Sequence, residues 1–321
     1  MPVSSKTVPP MKPADKLHQD ITDRLLEEMD AGVAPWVQPW EAPGAGGLTP
    51  MIPYNAYTGQ PYHGSNVVIL WLATYRAGYC SNAWLPMSHI QALGGRLKVR
   101  PGFTPPEGKP WKTGQRPVQC VKVLKRTITD QKTGEDKVIP GGIKAFNVFN
   151  LDQIEGLDAT KLQILQPPPE HLLRADIAHL IAFQEPKLIH GGDVAAYWPT
   201  FDTITMPVTF EDSDDYYATL FHEEIHATGI KKRLDREPHV RRFDKAYCFE
   251  ELMAELGSAF LCARYGVVGQ LQHASYLKHY ADALRADRTM FMRAAAAAER
   301  AVRFMLDKAK EPPTPYVAEA A

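Results

Sequence analysis

Ser213-Asp214-Asp215-Tyr216-Tyr217-Ala218-Thr219-Leu220-Phe221-His222-Glu223-Glu224-Ile225-His226-Ala227-Thr228-Gly229 is the stretch on which the fold of this chain turns. It carries the signals of a helix. Ser213 can cap the N-terminus, with the negative charge of Asp214 and Asp215 in the first turn. Tyr217, Leu220, Phe221 and Ile225 supply apolar positions, and Gly229 can end the helix before the basic Lys231-Lys232-Arg233. On a helix, positions i and i+4 share a face, so His222 and His226 can grip one metal ion. Glu223 projects beside them, where a carboxylate can take a proton from a water at the metal. A surface helix with two solvated histidines would read the same over these five residues, so the surroundings decide.

A catalytic site of this type needs a third protein ligand. The segment Tyr247 to Tyr265 reads as a second helix, and it sets Glu250, Glu251 and Glu255 among Leu252, Met253, Ala254, Leu256, Phe260 and Leu261. Carboxylates in so apolar a setting are costly unless paired or bound to metal. Glu251 and Glu255 lie four apart, which suits one ligand, Glu251, and one acceptor, Glu255, that orients a histidine N–H. Glu250 as the ligand, or a solvated acidic edge, are the alternatives. Gly257, Ser258 and Ala259 would let this helix approach the first one closely.

The chain has 321 residues, 45% of them hydrophobic and 10% aromatic, enough for two globular domains. No apolar run reaches the roughly 20 residues that span a bilayer, and Met1 to Lys12 has no apolar signal core, so we expect a soluble cytoplasmic protein without a membrane partner. Cys80, Cys120, Cys248 and Cys262 are scattered and suggest neither a cysteine zinc site nor a disulfide framework.

Net charge is −1, but it is uneven: Met1 to Asn150 holds 17 Lys and Arg against 11 Asp and Glu, and Arg76 to Lys144 holds 13 against 4. A basic stretch in a neutral protein points to a polyanion. Aromatic residues run through it, and single-stranded DNA binders combine a positive groove with aromatic faces on which bases stack. Candidate contacts are Lys98, Arg100, Lys112, Arg116, Lys122, Lys125 and Arg126, with Tyr57, Tyr62 and Trp84 as stacking platforms; Phe103 and Trp111 lie in the same stretch. Most aromatics of a small domain nevertheless go to its core.

Asp15 to Ala31 reads as an amphipathic helix through Leu17, Ile21, Leu25 and Met29, ended by Gly32. Helices are also expected at Ser65 to Gly78 and Ser88 to Leu93. A basic hairpin is expected from Val118 to Thr129, a turn at Lys132-Thr133-Gly134, and Asp136 to Pro140, with a separate short strand at Phe146 to Phe149. Pro167-Pro168-Pro169 marks a linker. Beyond it come a helix at Glu170 to Gln184, strands at Lys187 to His190, Ala195 to Trp198 and Thr203 to Met206, and helices at Ser275 to Arg285 and Arg288 to Ala309. The five-alanine run in the last helix suggests tight packing. The expected plan is α+β with two domains: tail 1–13, N-terminal α+β domain 14–156, linker 157–169, metal-binding domain 170–310 and tail 311–321.

The run Asn55-Ala56-Tyr57-Thr58-Gly59-Gln60-Pro61-Tyr62-His63-Gly64-Ser65-Asn66 resembles the N-terminal signature of ArdC-type plasmid antirestriction proteins. Trp84, Gly94-Gly95 and Val148-Phe149-Asn150-Leu151-Asp152-Gln153 continue the match. So do Tyr197, Asp202, Met206-Pro207, the His222 to His226 pentad, Thr228-Gly229, Glu250-Glu251-Leu252-Met253-Ala254-Glu255 and Phe260-Leu261. The resemblance spans about Ala14 to Leu306. It implies an N-terminal single-stranded-DNA-binding domain and a C-terminal zincin-like, gluzincin-type metallopeptidase domain, in a family associated with protecting incoming conjugative DNA from host restriction. The first half also resembles the N-terminal region of certain plasmid primases, without a primase active-site pattern. Ala227 and His279-Tyr280 depart from the commoner family residues.

The site expected from these readings has His222, His226 and Glu251 on Zn2+ (or Mn2+) and Glu223 as general base. Glu255 and Asp202 support it, the latter as a sheet-end cap if not in the site, and His273 or Tyr276 assists at the oxyanion. Three function classes stay open: an antirestriction factor that shields single strands, a DNA-localised protease acting on a restriction-modification component or another host protein, and a non-enzymatic DNA binder with a structural metal.

Overall fold

The computed structural model describes residues 13–36, 51–110, 112–129, 136–165, 170–236, 245–268 and 277–310. The terminal tails, the Pro167-Pro168-Pro169 boundary, the Lys132-Thr133-Gly134 turn, Trp111, His273 and Tyr276 lie outside the described residues.

The helices and the strand from Val118 lie where periodicity places them; the short strands of the first half carry no such signal. Helices α1 (Pro13–Asp30), α2 (Ser65–Ala77) and α3 (Met87–Ala92) belong to the first half, with short strands β1 (Tyr54–Asn55), β2 (Ala83–Leu85) and β3 (Arg96–Leu97). Strand β4 (Val118–Thr129) pairs antiparallel with β5 (Asp136–Asn150), and the four-stranded order is β1-β2-β5-β4. Strand β6 (Ile154–Glu155) pairs antiparallel with β3. Where two strands are expected at Asp136 to Pro140 and Phe146 to Phe149, one strand of 15 residues runs through. Pro140-Gly141-Gly142 does not break it, because the ladder absorbs them at an irregularity opposite Leu124 and Lys125.

The second half contains α4 (Glu170–Ala182), β7 (Lys187–His190), β8 (Ala196–Trp198), β9 (Thr203–Met206), α5 (Ser213–Ala227), α6 (Lys245–Tyr265), α7 (Leu277–Ala286) and α8 (Met290–Lys308). Its sheet has the order β7-β9-β8, with β7 parallel and β8 antiparallel to β9. The alternating helices and sheets give the expected α+β class.

The two halves share one core. Leu17, Ile21 and Leu25 of α1 and Val67 and Trp71 of α2 join a cluster with Leu252 and Phe260 of α6 and Ala294, Ala298 and Ala301 of α8. The Trp71 and Phe260 ring centroids are 6.0 Å apart. Arg288 and Arg285 reach back to Asp23 and Asp30 of α1, each at 2.5 Å. The alanine run packs as expected: Ala294, Ala295 and Ala298 are fully buried.

Gly257 sets the distance between α5 and α6. A Cβ there would meet Ile225 Cδ1 and Cγ1 at 2.8 Å, and the next residue, Ser258, donates its hydroxyl to Ala218 O at 2.7 Å. Helix propensity favours alanine over glycine by about 1 kcal/mol, whereas overpacking a tight core costs about 1–3 kcal/mol. Gly257→Ala is therefore expected to lower the denaturant midpoint, and adding Ile225→Val is expected to restore part of the loss. A midpoint raised by Gly257→Ala alone would show that the two helices can separate at no cost.

Candidate functional site

Helix α5 begins one residue earlier than its expected cap implies. Asp212, not Ser213, is the N-cap, because its carboxylate accepts the Asp214 and Asp215 amides at 2.7 and 2.9 Å. Ser213 is the first helical residue. Gly229 follows the Thr228 C-cap as expected, but its φ is not left-handed. Its missing Cβ leaves room for Arg236, whose Nη2 would lie 3.0 Å from such an atom.

The two histidines meet on one face of α5. His222 Nε2 and His226 Nε2 are 3.0 Å apart, and two imidazole nitrogens this close repel unless a proton or a cation lies between them. Glu251 of α6 completes the group: its oxygens lie 3.7 Å from His222 Nε2 and 3.5 Å from His226 Nε2. Among the described residues these three are the set whose ligand atoms converge, all within 4.8 Å of one another. Bonds of about 2.0–2.1 Å to a tetrahedral zinc require ligand separations of about 3.3 Å, and an octahedral cation with similar bonds requires about 2.9 Å. The observed spacing and the nitrogen and oxygen donor set fit a divalent cation of either geometry.

The electrostatics agree. Burial pushes the His226 imidazole down, but contact with Glu250 and the charges of Glu251 and Glu223 outweigh it and raise His226 to about 9. The cradle therefore attracts positive charge. Glu250 lies 3.5 Å from His226 Nδ1 and accepts Arg236 Nη2 at 2.9 Å. Burial would raise this carboxyl; its partners His226 and Arg236 instead hold it at about 2. Arg236 also donates to Ile225 O and Thr228 Oγ1, at 2.9 and 2.7 Å, and so pins the end of α5 to α6. Glu250 thus occupies the histidine-orienting position for which Glu255 was the sequence candidate. Glu255 is buried one turn on, where its charge, after burial itself, helps raise the Tyr280 hydroxyl of α7.

Glu223 is almost buried, and its Oε2 accepts the Tyr197 amide of β8 at 2.7 Å. The Tyr197 hydroxyl donates to Asp202 Oδ1 at 2.8 Å, and Asp202 Oδ2 accepts Arg233 Nη2 and Lys232 Nζ, both at 2.8 Å. Arg233 Nη1 returns to Ala227 O of α5 at 2.7 Å. A closed circuit therefore runs from Glu223 through the edge strand and back to its own helix. Asp202 closes the turn between β8 and β9 with φ 47° and connects to the site through Tyr197 and Arg233. Burial opposes its ionisation, but Arg233, Lys232 and Tyr197 hold it at about 2. Burial and Asp202 push Tyr197 to about 12. Glu224, on the same turn, is pushed by burial to about 8.

The expected nucleic-acid residues fall into two groups. Lys98, Arg100, Lys112, Arg116, Lys122, Lys125 and Arg126 are exposed; Lys98 Nζ caps Asp152 O at 3.0 Å, and Arg100 lies 5.9 Å from the Phe103 ring centre. Lys122, Lys125 and Arg126 line the outer part of the β4–β5 hairpin, where Val123 and Leu124 are exposed as well. Tyr57 is exposed against His89, and Tyr62 is half-buried. Trp84 is a correction: it is fully buried on β2 between Leu70, Cys120 and Val148 and presents no face to a base. The apolar core took this aromatic.

The sequence does not single out Tyr197 or Arg236 as site residues. The first acts through its backbone amide, which leaves no trace in sequence. The second lies beyond the helix end, with only the adjacent acidic pair Glu250-Glu251 to suggest that a cation was needed.

Known proteins match most of the chain. Residues 15–149 match the family described as the N-terminal domain of anti-restriction factor ArdC, and residues 175–297 match the zincin-like metallopeptidase family, so the second half is a domain type that implies a metal. A protein of Sinorhizobium fredii, y4eC, is 31% identical over 306 residues, 92% of this chain and 93% of its own. The DNA primase TraC of Escherichia coli is 33% identical over 306 residues, 90% of this chain, but the match spans only 27% of TraC. The metal-free crystal structure of antirestriction protein ArdC from plasmid R388 is 32% identical, covers 92% of this chain and 98% of its own, and superposes with a TM-score of 0.69. Its Mn(II)-bound form, also 32% identical over 91% of this chain and 98% of its own, gives 0.68. With both halves matched in order and a solved relative aligned along almost its full length, the chain belongs to the ArdC family of antirestriction proteins.

Proposed function

We propose that this protein binds single-stranded DNA through its first half, shields incoming plasmid DNA from host restriction, and carries a zinc-dependent metallopeptidase site in its second half. The observation that carries the peptidase reading is the convergence of His222, His226 and Glu251 beside a carboxylate, Glu223, fixed by an edge-strand amide. A purely structural metal has no use for that carboxylate, which weighs against a non-enzymatic DNA binder. His222, His226 and Glu251 would hold Zn2+, or Mn2+ as in the relative's crystal structure. When bound, the cation supplies Lewis acidity toward a scissile carbonyl. Glu223 accepts the proton of the attacking water and later returns it to the leaving amine. The Tyr197 amide fixes one carboxylate oxygen and so aims the other. Strand β8 is an edge strand and can receive an extended peptide of a restriction-modification component or another host protein.

The exposed basic hairpin supports the DNA reading. No helix of the described residues is long and apolar enough to cross a membrane, and we place the protein in the cytoplasm, where incoming DNA meets restriction enzymes. Reversing Lys122, Lys125 and Arg126 to Glu is expected to weaken single-stranded DNA binding more than tenfold. It is also expected to flatten the salt dependence by about 2 in slope, since each phosphate contact contributes about 0.7 on a single strand. Titration at several salt concentrations reads this directly, and an unchanged slope would remove the hairpin from the DNA path. Comparing that variant with Glu223→Ala in transfer of plasmid DNA into restricting and non-restricting recipients separates the functions. Protection that survives Glu223→Ala and fails with the charge reversal assigns the shielding to DNA binding; the opposite pattern assigns it to proteolysis.

A further inference from the structure

A cavity of about 320 Å³ lies between α1, α2 and the start of β4, away from the metal centre. Its floor is apolar, from buried Ile21, Leu25, Ile69 and Leu72, and the small Ala73 also lines it. Three arginines line it, Arg24, Arg76 and Arg116. Arg76 is committed, bonded to Glu27 and Glu28 at 2.9 and 2.5 Å. Arg24 and Arg116 are exposed, and among the described residues neither side chain has a hydrogen bond or an ion pair. Two uncommitted guanidiniums over an apolar floor ask for a ligand that is flat and apolar at one end and doubly or repeatedly anionic at the other. The size is at the lower end for a ligand site, enough for one base.

We propose that this cavity receives one nucleotide of single-stranded DNA, its base against Ile21, Leu72 and Ala73 and its flanking phosphates on Arg24 and Arg116. The assignment rests on the single-stranded DNA reading above and adds to it a fixed point on the strand. Position supports it. Arg116 lies two residues before the start of β4, Val118 lines the cavity, and the same strand then carries Lys122, Lys125 and Arg126 outward. From Val118 to Arg126 is about 27 Å of extended chain, so one strand leads from the cavity to the basic hairpin. The hairpin offers charge along the backbone, and the cavity offers a pocket for a base. Arginine suits this role because its planar group can bind phosphate with two donors and lie against a base at the same time.

The test uses the full-length protein and a fluorescent deoxythymidine oligonucleotide, beside an abasic strand of the same length, at several salt concentrations. Arg24→Ala with Arg116→Ala is expected to weaken binding of both strands about tenfold and to reduce the salt slope by about 1.4, two contacts at about 0.7 each. Ala73→Leu, which fills the cavity and leaves every charge in place, is expected to weaken the deoxythymidine strand severalfold and leave the abasic strand and the salt slope unchanged. Both arginines are exposed, so the first variant keeps its fold, which circular dichroism checks. Wild-type binding with a strong salt slope, matched by both variants, overturns the cavity assignment and leaves the DNA reading standing. Equal weakening of both strands by Ala73→Leu overturns the base pocket. Absence of any single-stranded DNA binding by the wild type overturns the cavity assignment and the DNA reading together.

Discussion

Glu223→Gln is expected to reduce peptide hydrolysis by about 10²–10⁴-fold, the range a positioned general base contributes, while the metal content per chain stays at the wild-type value. The substitution is nearly isosteric. A glutamine oxygen can still accept the Tyr197 amide that now holds Glu223 Oε2 at 2.7 Å, and His222, His226 and Glu251 are untouched. What disappears is the capacity to take up a proton. Elemental analysis of the purified variant, together with hydrolysis of a quenched fluorescent protein substrate by both forms, reads the two quantities separately. Hydrolysis at the wild-type rate with full metal would sink the assignment of Glu223 as base. Loss of metal and activity together would instead make Glu223 a part of the cation's cradle.

Glu251→Ala is expected to abolish stable metal binding. His222 and His226 alone would leave two of the three protein donors that such a site uses. The readout is thermal: a cation that binds only the folded chain stabilises it by about 2.7 kcal/mol when present at about a hundred times its dissociation constant. The wild type should therefore melt at a higher temperature with added zinc, and the variant should show no such shift. Glu250→Ala makes the discriminating comparison. Glu250 meets the far nitrogen of His226 and the guanidinium of Arg236, so its loss should weaken the metal about 10–100-fold, as removal of a histidine-orienting carboxylate does, without abolishing the shift. Reversed results for the two variants would exchange their roles and make Glu250 the ligand.

The two glutamates show where sequence reading stops. An acidic run on an apolar helix signals that some carboxylates must be paired, but Glu250, Glu251 and Glu255 present the same chemistry. Their fates differ because the crossing of α5 and α6 aims them differently. Glu251 faces both Nε2 atoms, Glu250 faces the back of His226, and the charge of Glu255, one turn on, acts on the Tyr280 hydroxyl. Trp84 shows the same limit in the first half, since an aromatic in a basic stretch can serve a base or the core and only packing decides between them.

Local signals sufficed for the helices and for one long strand. Helical spacing put His222 and His226 on one face, period-two alternation marked Val118 to Thr129 as a strand, and a small residue at position 257 foretold the close approach of α5 and α6. These features depend on neighbours within a few residues, which the sequence records directly. Tertiary structure alone decided which carboxylate meets which imidazole nitrogen, that the Tyr197 amide holds Glu223, that Arg236 folds back on the helix end, and that Arg24 and Arg116 share one cavity. Each of these joins residues from separate elements, through backbone groups or charges that many positions could supply, and only the packing of those elements selects among them.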